Sequence, residues 1–360
     1  MNSPRELKIY LKDFCERFEP ALKAYIEEKI ADMGELDQSG QEIARVVGTF
    51  ALSGGKRIRA ALVEIGYHVG NGKGQERILK PAIGMELLHA FFLIHDDIMD
   101  RSDLRRGQPT VHRIFESKYR QFLKHSESRE HFGESMALLA GDLCCAMAYE
   151  AITKSDFPPE RLVLALQKMH NIVDATLVGQ VLDVCIPLKE MVTADEVLKI
   201  HLLKTARYTF EGPLHLGMVL AGASVNQLEM ISRYAMPIGI AFQIKDDLLG
   251  IFGSEAEVGK PITSDLEEGK KTLLTVFAQS HGNQTQRNRI ASLLGKHPIS
   301  TDDLNDARGI FQEIGAVSYC EALAQELVCS GKEALERINL RGEIAVLLAG
   351  LANHVTSRTI

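Results

Sequence analysis

The chain has 360 residues, 45% hydrophobic and 25% charged, enough to bury a large core. Forty-one basic against 48 acidic residues leave a net charge of −7, which excludes the general basic excess of a nucleic-acid binder, though not a local basic patch. No apolar run approaches the roughly 18 residues of a bilayer crossing, and MNSPRELKIYLKDFC at the start lacks the apolar centre of a signal peptide, so neither a membrane span nor export is expected.

In chain order, apolar residues recur at i, i+3, i+4 and i+7 over 5–32, 76–101, 136–154, 160–185, 194–222, 226–252 and 318–339. Convincing period-2 alternation is absent, so the fold class is all-α. Breaks fall at Gly54–Gly55, NGKG (71–74), SDLRRGQPT (102–110), Pro158–Pro159 and GSEAEVGKPITSD (253–265). Several of these helices are long and apolar on more than one face, which places them inside a large helical assembly. No Pro- or Ser-rich linker interrupts the pattern, so one domain over 1–360 is expected. The charged stretch SKYRQFLKHSESREHFGES (117–135) is expected to be an inserted, solvent-exposed excursion. Six cysteines without a CxxC pair read as free buried thiols in a reduced, cytoplasmic chain.

The strongest local feature is HAFFLIHDDIMD (89–100). Asp96 and Asp100 lie one turn apart on one helix face, with His89 and Phe92 deeper on it. Acidic residues at a helix end are ordinarily just solvated, but here they crowd a C-terminal turn where the macrodipole disfavours them, which calls for a cation. AFQIKDDLLG (241–250) repeats the theme: Asp246, Asp247 and Gln243 are expected on one face, with Gly250 where the first motif has its third aspartate. Two carboxylate pairs suit Mg²⁺, which takes oxygen ligands from a few carboxylates plus substrate phosphates. Basic residues complete an anion site. SGGKRIRA (53–60) puts Lys56 and Arg59 one turn apart at a helix N-terminus, Arg105 and Arg106 follow the first motif, and Lys260 and Lys270 flank the loop after the second. Lys204–Thr205 sits mid-helix beside Gly212–Pro213, where a kink is expected.

The order GGKRIR, HDDIMD, LRRG, GQVLD, LKTARY, FQIKDD, GK and DLEEGKKT resembles the trans-type isoprenyl diphosphate synthases over roughly 50–275. The resemblance implies a single-domain isoprenoid synthase fold with about a dozen helices around a deep central cavity, a homodimer, and two or three Mg²⁺ ions. It implies head-to-tail condensation of isopentenyl diphosphate with an allylic diphosphate by ionisation, condensation and elimination. Carried over by position, Asp96, Asp100 and Asp246 resemble the metal ligands, with Asp97 and Asp247 beside them. Gln180 and Asp183 match a GQxxD element near the metals. Arg105, Lys204, Thr205, Gln243, Lys260 and Lys270 match the allylic diphosphate contacts, and Lys56, Arg59, His89 and Arg106 those for isopentenyl diphosphate. Gly250 departs from the family's usual third aspartate. Phe91 and Phe92, just before the first motif, match positions lining the growing chain, and two aromatic rings there imply a farnesyl product, with geranylgeranyl as the alternative. A non-catalytic subunit that binds prenyl diphosphates would have lost motif residues that this chain keeps, and a terpene cyclase would not need a second diphosphate site.

Overall fold

A computed structural model describes residues 3–254, 261–338, 340 and 342–356, and turns the apolar periodicity into helices at each expected segment. Ser3–Leu36 runs through Pro20 and buries Phe14, Phe18, Leu22 and Ile26, a stripe at helical spacing whose two phenylalanine rings stack at 5.1 Å. Asp37 then takes an extended backbone, and its carboxylate accepts from the Ser39 N–H at 2.8 Å to start Gln38–Leu52. The only β-structure among the described residues is a pair of two-residue strands, Leu104–Arg105 and Gln108–Pro109. Arg106 (φ 54°) and Gly107 (φ 72°) turn it, the both-positive pattern that a two-residue hairpin demands.

The chain packs as two compact units. One comprises Lys8–Gln167 with Leu216–Gly222. At its heart Leu79–Met99 packs on Ser126–Thr153 and on Ile58–Val69. The helices approach closely at Gly84, where a Cβ would meet the Ala148 carbonyl oxygen at 2.7 Å. The stretch 117–135 is largely solvent-exposed, as expected, and comprises the end of helix Val111–Lys118, a short turn and the start of Ser126–Thr153. Its charges are the wet outer face of an ordinary helical connection. Tyr119, its ring tilted against that of Phe132 at 4.9 Å, donates its hydroxyl to Glu42 and ties the turn down.

The other unit takes the described residues up to Leu7, Lys168–His215 and those from Ala223 onward. Val225–Phe252 is central, packed on Ala316–Ile338 and on His201–Glu211, with Glu343–Thr356 alongside. The expected helix over 194–222 divides into Ala194–Ile200, a stretch His201–Glu211 with wide i→i+5 turns, and Gly212–Ala221. In a regular α-helix the Pro213 ring would collide with the carbonyl four residues back; widening the preceding turns relieves that clash, so the expected kink appears as a π-type segment.

Two expectations need amendment. The six cysteines are free, yet Cys185 and Cys329 are exposed, not buried. By length and composition three helices, Glu76–Met99, Ser126–Thr153 and Pro159–Leu188, could cross a membrane, because a few charges do not offset their apolar stretches. The share of each apolar stretch buried within the protein is 78%, 44% and 28% respectively, so the latter two present exposed apolar side chains.

Candidate active site

The Gly54–Gly55 break, at φ of +90° and +134°, leads into Arg57, itself in the left-handed region, and the helix begins only at Ile58. Lys56 therefore precedes the helix and Arg59 occupies its first turn, a correction to the expectation of the pair one helical turn apart at this N-terminus. Arg57, which the sequence did not single out, is 3% exposed. It donates to Glu19 at 2.7 Å, Glu86 at 2.8 Å and the Ala51 carbonyl at 2.9 Å, neutralising the carboxylates that brace this corner. Lys56 is thereby left exposed, and Arg59 Nη1 lies 3.2 Å from His89 Nε2. Burial, and then Arg59, Arg106 and Arg105, hold the His89 imidazole well below its ordinary value, so it is neutral and can accept from Arg59. Arg106, at the hairpin tip, donates to the Gly54 carbonyl and lies 3.4 Å from Ser53 Oγ. Lys56 and Arg106 thus share the glycine turn, while Arg59 is locked to His89.

In the same unit, Asp96 and Asp100 are half-buried on successive turns, the Asp100 N–H donating to the Asp96 carbonyl at 2.8 Å. Asp97 turns inward and is fully buried. Arg105 Nε donates to its Oδ1 at 2.6 Å, while Asp97 Oδ2 has no hydrogen-bond partner among the described residues. Burial outweighs the Arg105 attraction and lifts the Asp97 carboxyl to about 6. Arg105 Nη2 also lies 3.9 Å from Asp96 Oδ2. Asp97 therefore orients the arginine, and Asp96 and Asp100 offer the accessible oxygens. The Phe91 and Phe92 rings lie 4.9 Å apart, Phe91 buried and edge-on to His95 at 4.8 Å, Phe92 partly exposed.

The second unit holds the other group. Lys204 Nζ donates to Asp183 Oδ2 at 2.7 Å, and Thr205 Oγ1 donates to Gln243 Oε1 at 2.7 Å. Gln243 Nε2 passes a bond to Asp247 Oδ1 at 2.9 Å, and Lys270 Nζ donates to the same oxygen at 2.9 Å. His201 Nε2 lies 3.0 Å from Asp247 Oδ2. Burial opposes the Asp247 charge, but Lys270 and His201 hold the carboxylate well below its usual range. Burial likewise opposes the Lys270 ammonium, and Asp247, Asp265 and Asp183 together hold it well above. Asp246, expected on the same face as Asp247, is instead exposed while Asp247 is buried, since adjacent helical residues point about 100° apart. Asp247 is an anchor, and Asp246 the outward carboxylate. The wide helix carrying Lys204 and Thr205 is pinned from two sides: a Cβ on Gly179, beside half-buried Gln180, would meet the Lys204 amide nitrogen at 2.5 Å, and one on Gly239 the Ala206 Cα at 2.5 Å.

His201 and Asp265 were missed by the sequence reading. His201 lies one turn before Lys204 and Thr205, a polar residue in an otherwise apolar run, and Asp265 lies within the quoted DLEEGKKT. Lys260 lies outside the described residues. Among the described residues no three His, Cys, Asp or Glu side chains gather to hold a metal unaided. Each unit nonetheless offers half-buried or exposed carboxylates, Asp96 and Asp100 in one and Asp183 and Asp246 in the other, and such oxygen donors fit Mg²⁺ completed by substrate phosphate and water.

Comparison with known proteins bears on these groups. The family model described as polyprenyl synthetase matches residues 41–311. The chain is 32% identical over 352 residues to the short chain isoprenyl diphosphate synthase of Methanothermobacter thermautotrophicus, covering 96% of this chain and 98% of that protein. It is 30% identical over 351 residues to the (2E,6E)-farnesyl diphosphate synthase of Mycobacterium tuberculosis, covering 97% and 89%. Geranylgeranyl pyrophosphate synthase from Corynebacterium glutamicum, solved with isoprenyl diphosphate and magnesium, superimposes with a TM-score of 0.91 at 31% identity, covering 97% and 99%.

Proposed function

The chain belongs to the polyprenyl synthetase family and is a prenyl diphosphate synthase, a transferase that condenses isopentenyl diphosphate with an allylic diphosphate; on that premise we propose how its side chains divide the work and what it makes. Residues 1–360 act as one synthase domain in the cytoplasm. Asp96, Asp100 and Asp246, with Asp183, hold two to three Mg²⁺ ions. The chemistry magnesium supplies when bound is neutralisation of the allylic diphosphate as its C–O bond breaks. Lys204, Lys270 and Arg105 add fixed positive charge at the same leaving group, Lys260 adds a further cation, and Thr205, Gln243 and Gln180 orient the group and its waters. Lys56, Arg59 and Arg106, with neutral His89, hold isopentenyl diphosphate so that its double bond meets the allylic cation as a pre-oriented neighbour. The released diphosphate accepts the proton lost on elimination.

The observation that carries this division of labour is the linked set Thr205–Gln243–Asp247–Lys270, in which each donor has its acceptor before substrate arrives and two of them converge on the buried Asp247 carboxylate. Catalysis by preorganised charge needs side chains that do not reorganise during the reaction. A non-catalytic subunit has no use for such a set.

The product is farnesyl diphosphate, with the Phe91 and Phe92 rings limiting the growing chain; geranylgeranyl diphosphate is the second candidate, favoured by the Corynebacterium glutamicum structure. The exposed Leu138, Leu139, Leu177, Val178, Val181 and Val184 are covered by a second copy in a homodimer, not by lipid. Incubation with isopentenyl diphosphate, dimethylallyl or geranyl diphosphate and Mg²⁺, followed by chromatography of the dephosphorylated products, tests the assignment. A farnesyl product supports it, a geranylgeranyl product selects the alternative, and no elongation overturns both.

A further inference from the structure

The buried Asp247 carboxylate takes its donors on both oxygens, and one of those donors has no part in the division of labour above. Lys270 Nζ and Gln243 Nε2 each donate to Oδ1 at 2.9 Å, while Oδ2 lies 3.0 Å from His201 Nε2. An ionised carboxylate only accepts, so His201 Nε2 carries the proton. The ring is 3% exposed, and its Nδ1 is buried without a hydrogen-bond partner among the described residues. A second proton there would be a buried donor with nothing to meet, so the imidazole has a single N–H to offer and gives it to Asp247. His201 also opens the wide-turn segment that carries Lys204 and Thr205. One turn on, Thr205 Oγ1 reaches Gln243 Oε1 at 2.7 Å, and Gln243 stands one turn before Asp247 on Val225–Phe252. The two helices are thus joined by antiparallel rungs, His201 to Asp247 and Thr205 to Gln243.

We infer that His201 is a positioning residue that locks the rotation of the Asp247 carboxylate, so that Lys270 and Gln243 meet their shared acceptor in one fixed direction and stay aimed at the allylic diphosphate. The torsion about an aspartate Cβ–Cγ bond is intrinsically broad. Bonds to Oδ1 alone let the carboxylate swing with its donors; a bond to Oδ2 from a second helix stops that swing. His201 acts through Asp247 and touches no substrate. Without its N–H, Lys270 keeps a partner but loses a fixed direction. The inference rests on the diphosphate-binding function proposed above.

The test is calorimetric titration of the full-length protein with inorganic pyrophosphate in the presence of Mg²⁺, alongside KM for each of the two diphosphate substrates and thermal unfolding. The variants are His201→Leu, His201→Asn and His201→Gln. Glutamine places its amide nitrogen as many bonds from Cα as histidine places Nε2 and can renew the bond, asparagine falls short, and leucine has no donor. His201→Leu and His201→Asn should each weaken pyrophosphate binding about tenfold and raise KM for the allylic diphosphate to match. KM for isopentenyl diphosphate should move less than about twofold, and His201→Gln should bind pyrophosphate within about threefold of the wild-type chain. A packing role alone would lower the melting temperature in all of them without restoring affinity in His201→Gln. Either donor-less variant decides the matter if the other fails to fold. Unchanged affinity in them, a His201→Gln as weak as they are, or an equal rise in both KM values overturns the inference and leaves the proposed function standing. Failure of the wild-type chain to bind pyrophosphate overturns both.

Discussion

Gly239 offers a direct measure of how finely Lys204 and Thr205 must be placed. In Gly239→Ala the new Cβ would meet Ala206 Cα at 2.5 Å, Ala206 Cβ at 2.6 Å and Phe210 Cδ2 at 3.1 Å. Carbon atoms rest at about 3.5 Å, so the wide helix must retreat by about 1 Å, and a backbone atom cannot swing aside as a flexible side chain would. Thr205 and Lys204 move with it, which disturbs their bonds to Gln243 and Asp183. Overpacking of this kind costs about 1–3 kcal/mol of stability. A misplacement of about 1 Å at reacting groups costs on the order of 100-fold in rate. The assay is kcat/KM for the allylic diphosphate at saturating isopentenyl diphosphate, read beside the melting temperature. Gly309→Ala is the control: it sits inside helix Thr301–Glu313 with nothing within 4 Å of its Cβ, and should stabilise by about 1 kcal/mol with kcat/KM unchanged. A Gly239→Ala enzyme that melts lower yet keeps kcat/KM within about twofold refutes the placement argument.

Other perturbations probe separate parts of the account. Arg57→Met strands buried Glu86, losing about 3–5 kcal/mol in chemical denaturation; a loss below about 1 kcal/mol would contradict the bracing role. Asp97 rises from an ordinary 3.8 to about 6 on folding, so between those values the folded chain keeps a proton that the unfolded chain has released. Its contribution favours the folded state below this window and is lost as pH rises through it, by about 3 kcal/mol. Asp97→Asn should lack that loss when metal-free stability is compared at pH 3.5 and 7; equal changes in both proteins would refute it. Replacing Phe91 and Phe92 together with Ala should lengthen the product on chromatography, and an unchanged length would reject their role as the stop.

Both acidic motifs and the helical class were legible because each is written locally: a period of 3.6 for Leu79–Met99 and Val225–Phe252, and carboxylates one turn apart at Asp96 and Asp100. Arg57 was hidden because its partners, Glu19 and Glu86, lie 38 and 29 residues away and no local pattern links them. Asp246 and Asp247 look equivalent in sequence, and only packing decides which faces inward. The division at His201–Glu211 arose from Pro213 acting backwards on the preceding turns, an effect that periodicity alone averages away. The exposure of 117–135 was legible in its polar composition, but its division between a short turn and two helix ends was not, because polar residues mark exposed surface equally well on either.

The central claim is that these carboxylates and cations ionise an allylic diphosphate for capture by isopentenyl diphosphate. Pyrophosphate release and isopentenyl diphosphate consumption, followed together, test it most directly. They should appear in a one-to-one ratio, cease with a chelator, return with Mg²⁺, and fall by about 100-fold or more in both Asp96→Ala and Asp246→Ala. Pyrophosphate released without isopentenyl diphosphate being consumed, or full activity in either variant, would contradict the account.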